Sequence, residues 1–160
     1  MRSTPTLVAG LFVAGLSANP AFAIDLSESV DVSASPADAW SAISDWCSIK
    51  DWHPVIAECE AYEEDGKTMR KLVTGDGGEL IEEQKSMDAD GMSFSYTINE
   101  SPLPIKDYAS TMAVTENGDG ATITWSSSYS ANGVSDEEAL ELMSGVYRAG
   151  LDELKGQLDQ

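Results

Sequence analysis

The sequence is poor in basic residues, in histidine and in cysteine. It has 9 Lys and Arg against 28 Asp and Glu, which gives a formal net charge of -19, and it contains 1 His and 2 Cys. A surface this acidic repels phosphate groups, so the composition argues against nucleic acid and anionic lipid as partners. The acids are scattered along the chain rather than grouped in a tail, which is typical of a solvated surface.

The sequence also lacks an apolar run of membrane-spanning length. Its longest run, residues 7–16, is shorter than the roughly 20 residues that a bilayer requires, and the chain is expected not to insert into a membrane. Arg2 precedes this run and Ala21-Phe22-Ala23 follows it, which is the pattern of a secretory signal peptide with an A-x-A cleavage site. We expect cleavage after Ala23, export to the periplasm or beyond, and one domain over residues 24–160. An uncleaved anchor is the alternative.

The few rare residues are concentrated in one stretch, residues 44–60. "SDWCSIKDWHPVIAECE" contains both cysteines, the histidine and two of the four tryptophans. Two cysteines in an exported chain usually form a disulfide, and a Cys47–Cys59 bridge would be worth about 3 kcal/mol. Free buried thiols and a metal site with His53 remain alternatives, although a zinc site would lack a fourth ligand. We expect neither a metal nor a cofactor.

The hydrophobic periodicity predicts an α+β domain. "LSESVDVSAS" alternates as a strand, and "SPADAWSAISDW" reads as a helix capped by Ser35 with Pro36 at its first position. Six segments at hairpin spacing follow, and a long helix starts with a capping box of Ser135 and Glu138. The predicted apolar stripe of that helix consists of Leu140, Met143, Val146, Tyr147, Gly150, Leu151 and Leu154. A twisted sheet around one long helix leaves an internal, mostly apolar space.

The order and the residues of these segments resemble the SRPBCC superfamily, the helix-grip fold of START lipid-transfer domains and polyketide cyclase/dehydrase-like proteins. The likeness is carried by "SVDVSASPADAWSAISDW", "WHPVIAECE", "GKTMRKL", "LIEEQKSMD", "SYTINESPLPIKDYASTMAV", "TITWSSSY" and "VYRAGLDELK". It implies an antiparallel sheet of about seven strands wrapped around the C-terminal helix, with a short helical corner after the first strand. By analogy, the exported members resemble periplasmic accessory proteins of methanol oxidation of the MxaD type.

Strand alternation indicates which side chains line the interior. Met92, Phe94, Tyr96 and Ile98 share one face of their strand, as do Ile123, Trp125 and Tyr129 of the last strand. Plain core packing is the alternative for each, but buried Tyr and Trp need partners for their polar ends and can orient a ligand. The candidate ligand-binding residues are Trp52, His53, Arg70, Glu82, Phe94, Tyr96, Trp125, Tyr129 and Tyr147.

Arg70 and Glu82 are the most informative charged pair because they flank the tight turn "GDGG". A turn centred on Gly77 places Leu72 opposite Glu82 and makes Arg70 a diagonal neighbour of Glu82 on the inner face. The pair is then a structural ion pair, a ligand anchor in which Arg70 holds a carboxylate or keto oxygen, or, in the opposite register, a surface pair.

Three functions are compatible with this sequence. The first is a carrier that holds a small hydrophobic ligand in the cavity. The second is an accessory protein whose acidic surface docks a periplasmic protein partner. The third is a cyclase or dehydrase with Glu82 and His53 as weak catalytic candidates, which is ranked last because no nucleophile pattern accompanies His53, itself expected to be a structural hydrogen-bonding residue.

Overall fold

The computed structural model describes residues 23–160, which form one sheet and three helices. In chain order the elements are β1 (Ile24–Val32), α1 (Pro36–Ser44), α2 (Ile49–Trp52), β2 (Ile56–Glu64), β3 (Lys67–Thr74), β4 (Glu79–Asp88), β5 (Ser93–Glu100), β6 (Ile105–Asn117), β7 (Gly120–Ala131) and α3 (Asp136–Leu158). The predicted signal peptide lies outside the described residues, except for Ala23, and stays a prediction.

The sheet has seven strands in the order β1-β7-β6-β5-β4-β3-β2, and every neighbouring pair is antiparallel. Strands β2 to β7 therefore follow one another as a meander, and β1 pairs with β7 at the far end. The long helix α3 packs on one face of the sheet, mainly against β1 and β7. This arrangement confirms the predicted α+β helix-grip fold, including the helical corner after the first strand.

Alternation along the strands explains which face is buried. In β7 the residues at odd positions, from Ala121 to Tyr129, are buried, whereas the Thr and Ser residues between them are half-buried on the outer face. β5 follows the same rule, with Phe94 and Tyr96 buried. The inner faces predicted for these two strands are confirmed.

The helical corner contains one more helix than predicted. We expected a single helix to continue to Trp46, but α1 ends at Ser44 because Asp45 adopts an extended conformation, and its side chain accepts the backbone N–H of Cys47 at 2.9 Å. The short helix α2 follows and ends at Trp52, one residue before His53 and Pro54. A four-residue helix is too short to produce a periodicity signal in the sequence.

The apolar stripe of α3 is rotated slightly from its predicted position. The capping box of Ser135 and Glu138 is confirmed, as is the burial of Met143, Tyr147, Gly150, Leu151 and Leu154. Leu140, however, is 39% exposed, and the fully buried residue of that turn is Ala139. Ala139 lies four residues before Met143, so the two share the buried face of the helix. Leu140 is off this face.

The register between β3 and β4 also differs from the prediction. The turn centres on Asp76 rather than Gly77, so Leu72 pairs with Leu80 and Arg70 lies directly opposite Glu82. The Asp76 carboxylate explains the shift, because it accepts hydrogen bonds from Thr74 Oγ1 at 2.5 Å and from the Gly78 N–H at 3.3 Å. Side chains of Asp commonly stabilise turns in this way.

Polar contacts fix one flank of α3. Glu28 of β1 accepts hydrogen bonds from Ser144 at 2.6 Å and from Arg148 at 3.1 Å. Further along the helix, Lys155 donates to the carbonyl of Asp31 at 2.6 Å. Within residues 23–160, no helix has the length and apolar composition needed to cross a membrane.

Gly150 allows α3 to approach the helical corner closely. A Cβ atom at this position would lie 2.7 Å from His53 Cδ2 and 2.9 Å from Trp52 Cζ3. Both of these rings are buried, so neither can move aside into solvent. The helix and the corner therefore meet at a position where only glycine fits.

We expect Gly150→Ala to lower the free energy of unfolding by about 1–3 kcal/mol, the usual cost of overpacking a filled core. Gly145→Ala on the same helix is the matched control, because its Cβ would meet no atom within 4 Å. The free energy of unfolding of the control should rise by about 0.5–1 kcal/mol, since alanine is a better helix former than glycine. Urea unfolding of both variants measures the difference, and equal changes would contradict the close approach.

Candidate functional site

A cavity of about 340 Å³ lies between the sheet and α3, and it opens to solvent beside the exposed residues Val55, Asp76 and Pro102. Its wall is formed by the helical corner, the inner faces of β3 to β7, the loop between β5 and β6, and the middle of α3. The apolar part of the lining comprises Ile49, Val55, Ile56, Leu72, Leu80, Ile98, Pro102, Leu103, Met143 and Val146. The polar part is contributed by Glu82, His53 and three tyrosines, and by Thr74 and Asp76 where the turn between β3 and β4 borders the cavity.

Two other depressions are larger but differ in character, with volumes of about 560 and 760 Å³. The first is lined largely by Ser and Thr side chains of the outer sheet face, and the second borders the start of β6. Unlike these, the internal cavity brings together buried polar groups, and this makes it the candidate site.

The cavity contains five of the nine candidate ligand-binding residues, namely His53, Glu82, Tyr96, Trp125 and Tyr147. The other four, Trp52, Arg70, Phe94 and Tyr129, are buried but do not line it. Trp52 packs edge-on against Trp125, with ring centroids 5.7 Å apart, and Phe94 packs edge-on against Trp46 at 6.0 Å. These two residues support the wall from behind.

Three tyrosine hydroxyls form a connected chain at the cavity wall. Tyr96 and Tyr108 are 3.3 Å apart at their hydroxyl oxygens, and Tyr108 is also hydrogen-bonded to Tyr147. The indole N–H of Trp125 donates to the Tyr96 hydroxyl at 3.0 Å and to Ser110 Oγ at 3.1 Å. The Trp125 ring stacks on that of Tyr147 with centroids 4.1 Å apart, which fixes both rings.

Tyr108 was missed in the sequence analysis although it occupies the centre of this chain. The signal was present, because Tyr108, Ser110, Met112 and Val114 alternate along β6 with exposed residues. The bulge between Lys106 and Ala109, with Asp107 at φ 55°, interrupts the pattern just before it becomes regular.

The tyrosine chain has one hydroxyl hydrogen more than it uses internally. Burial raises the pKa of Tyr96, Tyr108 and Tyr147, so all three hydroxyls keep their protons at neutral pH. Three hydroxyls joined by two hydrogen bonds use two of their three hydrogens, and Trp125 is a donor only. One tyrosine hydrogen is therefore not used within the chain and can be donated to a neighbouring oxygen, either that of Ser110 or Ser127 near Tyr147 or that of an acceptor in the cavity.

Tyr129 lies outside this chain. Its ring is 1% exposed and packs against that of Tyr108 with centroids 6.0 Å apart. Its hydroxyl has no hydrogen-bond partner among residues 23–160. Burial raises the pKa of Tyr129 to about 12, so this hydroxyl also stays protonated at neutral pH.

Arg70 and Glu82 form a buried ion pair, each 3% exposed. The Arg70 Nε and Nη2 atoms both lie 2.6 Å from Glu82 Oε2, and Nη1 donates to the Trp46 carbonyl at 2.6 Å. The guanidinium also lies over the Trp46 ring, 3.8 Å from its centroid, in a cation–π contact. The surface-pair alternative is wrong, and Arg70, unlike Glu82, does not line the cavity.

Glu82 Oε1, unlike Oε2, accepts no hydrogen bond from residues 23–160. Burial raises the pKa of the Glu82 carboxyl, while the charge and hydrogen bonds of Arg70 oppose this shift. A protonated Glu82 would leave the Arg70 charge buried without a counter-charge, so the pair remains ionised at neutral pH. Because Glu82 lines the cavity, its second oxygen is a charged acceptor at the cavity wall.

His53 is buried, and both of its ring nitrogens are engaged. Nδ1 accepts the Val55 backbone N–H at 3.4 Å, which leaves the proton on Nε2, and Nε2 donates to the Val146 carbonyl of α3 at 3.0 Å. Burial lowers the pKa of His53, so the ring is neutral at neutral pH. With neither nitrogen free, this geometry gives His53 a structural bond between the corner and α3.

The disulfide between Cys47 and Cys59 joins the helical corner to β2, with Cα atoms 5.5 Å apart. The disulfide prediction is therefore confirmed, and the free-thiol and metal alternatives for these cysteines are wrong. Cys47 directly follows Trp46, whose carbonyl binds Arg70. The bridge thus holds the backbone that positions the buried ion pair.

We expect Arg70→Met to cost about 3–5 kcal/mol of unfolding free energy at pH 7, because Glu82 is left buried without a counter-charge. The double variant Arg70→Met with Glu82→Leu should recover most of this loss. Lys71→Met is the control, because Lys71 pairs with Glu79 across the same two strands in solvent contact, with its side chain 35% exposed, and it should show no measurable loss. Urea unfolding tests all three, and an Arg70→Met variant as stable as Lys71→Met would contradict the buried pair.

The lowered pKa of His53 predicts a loss of stability in mild acid. The unfolded chain, in which the pKa of His53 is 6.5, binds the proton more readily than the folded state. The stability contributed by the neutral His53 ring is therefore complete above pH 6.5 and declines as the pH falls below it. The unfolding midpoint in urea should fall more between pH 7.5 and 5.5 for the natural protein than for His53→Gln. Equal decreases would show that His53 titrates normally in the folded state.

Comparison with known proteins agrees with this geometry. Residues 23–159 match the family described as "Polyketide cyclase / dehydrase and lipid transport". No curated protein has a detectably similar sequence. Similar solved structures include XoxI of Bacillus cereus, which is 29% identical with a TM-score of 0.78 over 84% of this chain and 94% of that one.

Two further structures share the fold at lower identity. The Zhui aromatase/cyclase of Streptomyces sp. R1128 is 17% identical with a TM-score of 0.70, over 85% of this chain and 93% of that one. A START superfamily protein of Mycobacterium smegmatis is 18% identical with a TM-score of 0.72, over 85% of this chain and 97% of that one. The SRPBCC resemblance is confirmed, and the chain belongs to the polyketide cyclase/dehydrase and lipid transport family, a group of START-like ligand-binding or cyclase-like proteins.

Proposed function

We propose that residues 24–160 form an exported carrier domain that binds a small, largely apolar ligand in the internal cavity. The observation that supports this most directly is the cavity itself, with about 340 Å³ of space, an apolar wall and polar atoms concentrated in a few groups. Ligand sites of this kind use apolar surface for affinity and a few polar groups for orientation. The family description, which includes lipid transport, is consistent with such a role.

The chemistry of the wall favours binding over catalysis. A cyclase or dehydrase needs a base with a free lone pair beside the substrate. Both nitrogens of His53 are occupied, and Glu82 is tied to Arg70 through Oε2. Of the two candidate catalytic residues, only Glu82 therefore keeps a free acceptor, Oε1. The alternative of docking a protein partner rests on the net charge of -19 and on the resemblance to MxaD-type accessory proteins.

Export is the second part of the proposal. The Cys47–Cys59 disulfide is the chemistry of an oxidising compartment, and such bridges are rare in the cytosol. The A-x-A pattern that ends at Ala23 supports the same destination. We propose the periplasm or the extracellular space as the location of the mature domain.

Naphthalene is a suitable first ligand, because it is apolar and small enough for the cavity. We expect saturable 1:1 binding, seen as chemical-shift changes of the amides around the cavity in NMR titrations. Val146→Phe, which fills part of the cavity from α3, should weaken binding at least about tenfold, as expected for lost apolar contact. Leu142→Phe on the same helix is the control, because Leu142 is 39% exposed and does not line the cavity.

Two results would count against the proposal. One is an absence of saturable binding to the natural protein. The other is binding to Val146→Phe that equals binding to Leu142→Phe, with both variants folded.

A further inference from the structure

The cavity wall presents two unused hydrogen-bonding groups of opposite kind. Glu82 Oε1 is an acceptor, since Arg70 bonds only to Oε2. The chain of Tyr96, Tyr108 and Tyr147 has one hydroxyl hydrogen to spare and is therefore a donor. Glu82 of β4 pairs with Ile98 of β5, and Gln84 pairs with Tyr96. Tyr96 is therefore a diagonal neighbour of Glu82. Donor and acceptor thus lie on the same inner face of adjacent strands.

The charge of the wall selects against anions. Arg70 does not line the cavity, and its donors are directed to Glu82 and to the Trp46 carbonyl. Of the ion pair, only the negatively charged partner borders the ligand space. A ligand carboxylate placed there would lie beside Glu82 with no cation to bind it, which is unfavourable in a site of low dielectric constant.

An apolar ligand without a donor would bind less tightly than a hydroxylated one in the part of the cavity that borders Glu82. It would displace water from Glu82 Oε1 and leave a charged acceptor unpaired, which costs more than leaving a neutral group unpaired. A ligand hydroxyl can donate to Oε1 and accept the spare tyrosine hydrogen with its oxygen. Hydrogen bonds to a charged partner are the stronger kind.

The volume sets the size of the ligand. With about 30 Å³ for each water-sized group, a cavity of 340 Å³ holds roughly eleven such groups. A diacyl lipid is far larger than this. A compound of one or two rings fits, and flat rings match the aromatic wall of Trp125 and Tyr147.

We infer that the ligand is a neutral compound of one or two rings that carries a hydroxyl group, with the hydroxyl hydrogen donated to Glu82 Oε1 and a ligand oxygen accepting from the tyrosine chain. This inference rests on the proposed function. It narrows the ligand from any small apolar molecule to phenol-like or enol-like compounds, and it replaces the earlier expectation that Arg70 holds a carboxylate.

Four naphthalene derivatives test the inference at pH 7 by calorimetry or NMR titration. They are naphthalene, 2-naphthol, 2-methoxynaphthalene and 2-naphthoate, which differ in donor and charge on the same ring system. We expect 2-naphthol to bind about tenfold to a hundredfold more tightly than 2-methoxynaphthalene, because only the hydroxyl can donate to Glu82. 2-Naphthoate should show no binding at its solubility limit.

A variant provides an independent test of the same contact. In Glu82→Gln the amide oxygen can accept from Arg70 while the NH2 group faces the cavity, so the acceptor becomes a donor. This variant should lose the preference for 2-naphthol over 2-methoxynaphthalene, because the oxygen of either compound can accept from the amide. If the variant fails to fold, the ligand series with the natural protein still decides the question.

The outcomes separate the inference from the proposed function. Equal affinities for naphthalene, 2-naphthol and 2-methoxynaphthalene would overturn the inference and leave the carrier function intact. Tightest binding of 2-naphthoate would overturn it in favour of an anion site at Arg70. No binding of any compound, naphthalene included, would overturn both.

Discussion

The buried guanidinium of Arg70 is the group on which the rest of the site depends. It bonds to Glu82 on the neighbouring strand and to the Trp46 carbonyl in the helical corner, and it stacks on the Trp46 ring. A charge this deep in the protein is tolerated only when its donors are satisfied and a counter-charge is adjacent. The position of the corner, the orientation of Glu82 and the charge of the cavity wall therefore follow from a single side chain.

The corner is held by three kinds of interaction that meet at neighbouring residues. The disulfide ties Cys47 to β2, the His53 ring donates to the Val146 carbonyl, and Gly150 allows α3 to lie directly against the corner. Together they hold the corner against α3, and Glu28 and Asp31 of β1 bind the same helix. This explains why the rare residues of the sequence lie together at residues 44–60, at the junction of sheet, corner and helix.

Much of this fold could be predicted from the sequence because its signals are local. Alternation in β5 and β7 and the caps at Ser35 and Ser135 each specify their own element, and two cysteines in an exported chain predict the disulfide. What could not be predicted depends on contacts between distant residues. Asp76 shifts the β3–β4 register, α2 is too short to produce a period, and the Tyr108 hydroxyl acquires its partners only when β6 lies beside β5 and beneath α3. Among the charged candidates, the burial of the Arg70–Glu82 pair was foreseen, but its exact pairing was not.

The spare hydroxyl hydrogen of the tyrosine chain is not fixed to one tyrosine. Hydroxyl hydrogens rotate without any movement of heavy atoms, so the chain can be ordered from Tyr96 toward Tyr147 or in the reverse direction. In one order the free hydrogen is on Tyr147, and in the other it is on Tyr96. A rigid wall thereby offers its donor at either of two places and can match ligands whose oxygens differ in position. The protein can accommodate a family of related molecules at almost no conformational cost, while Glu82 continues to reject the anionic ones.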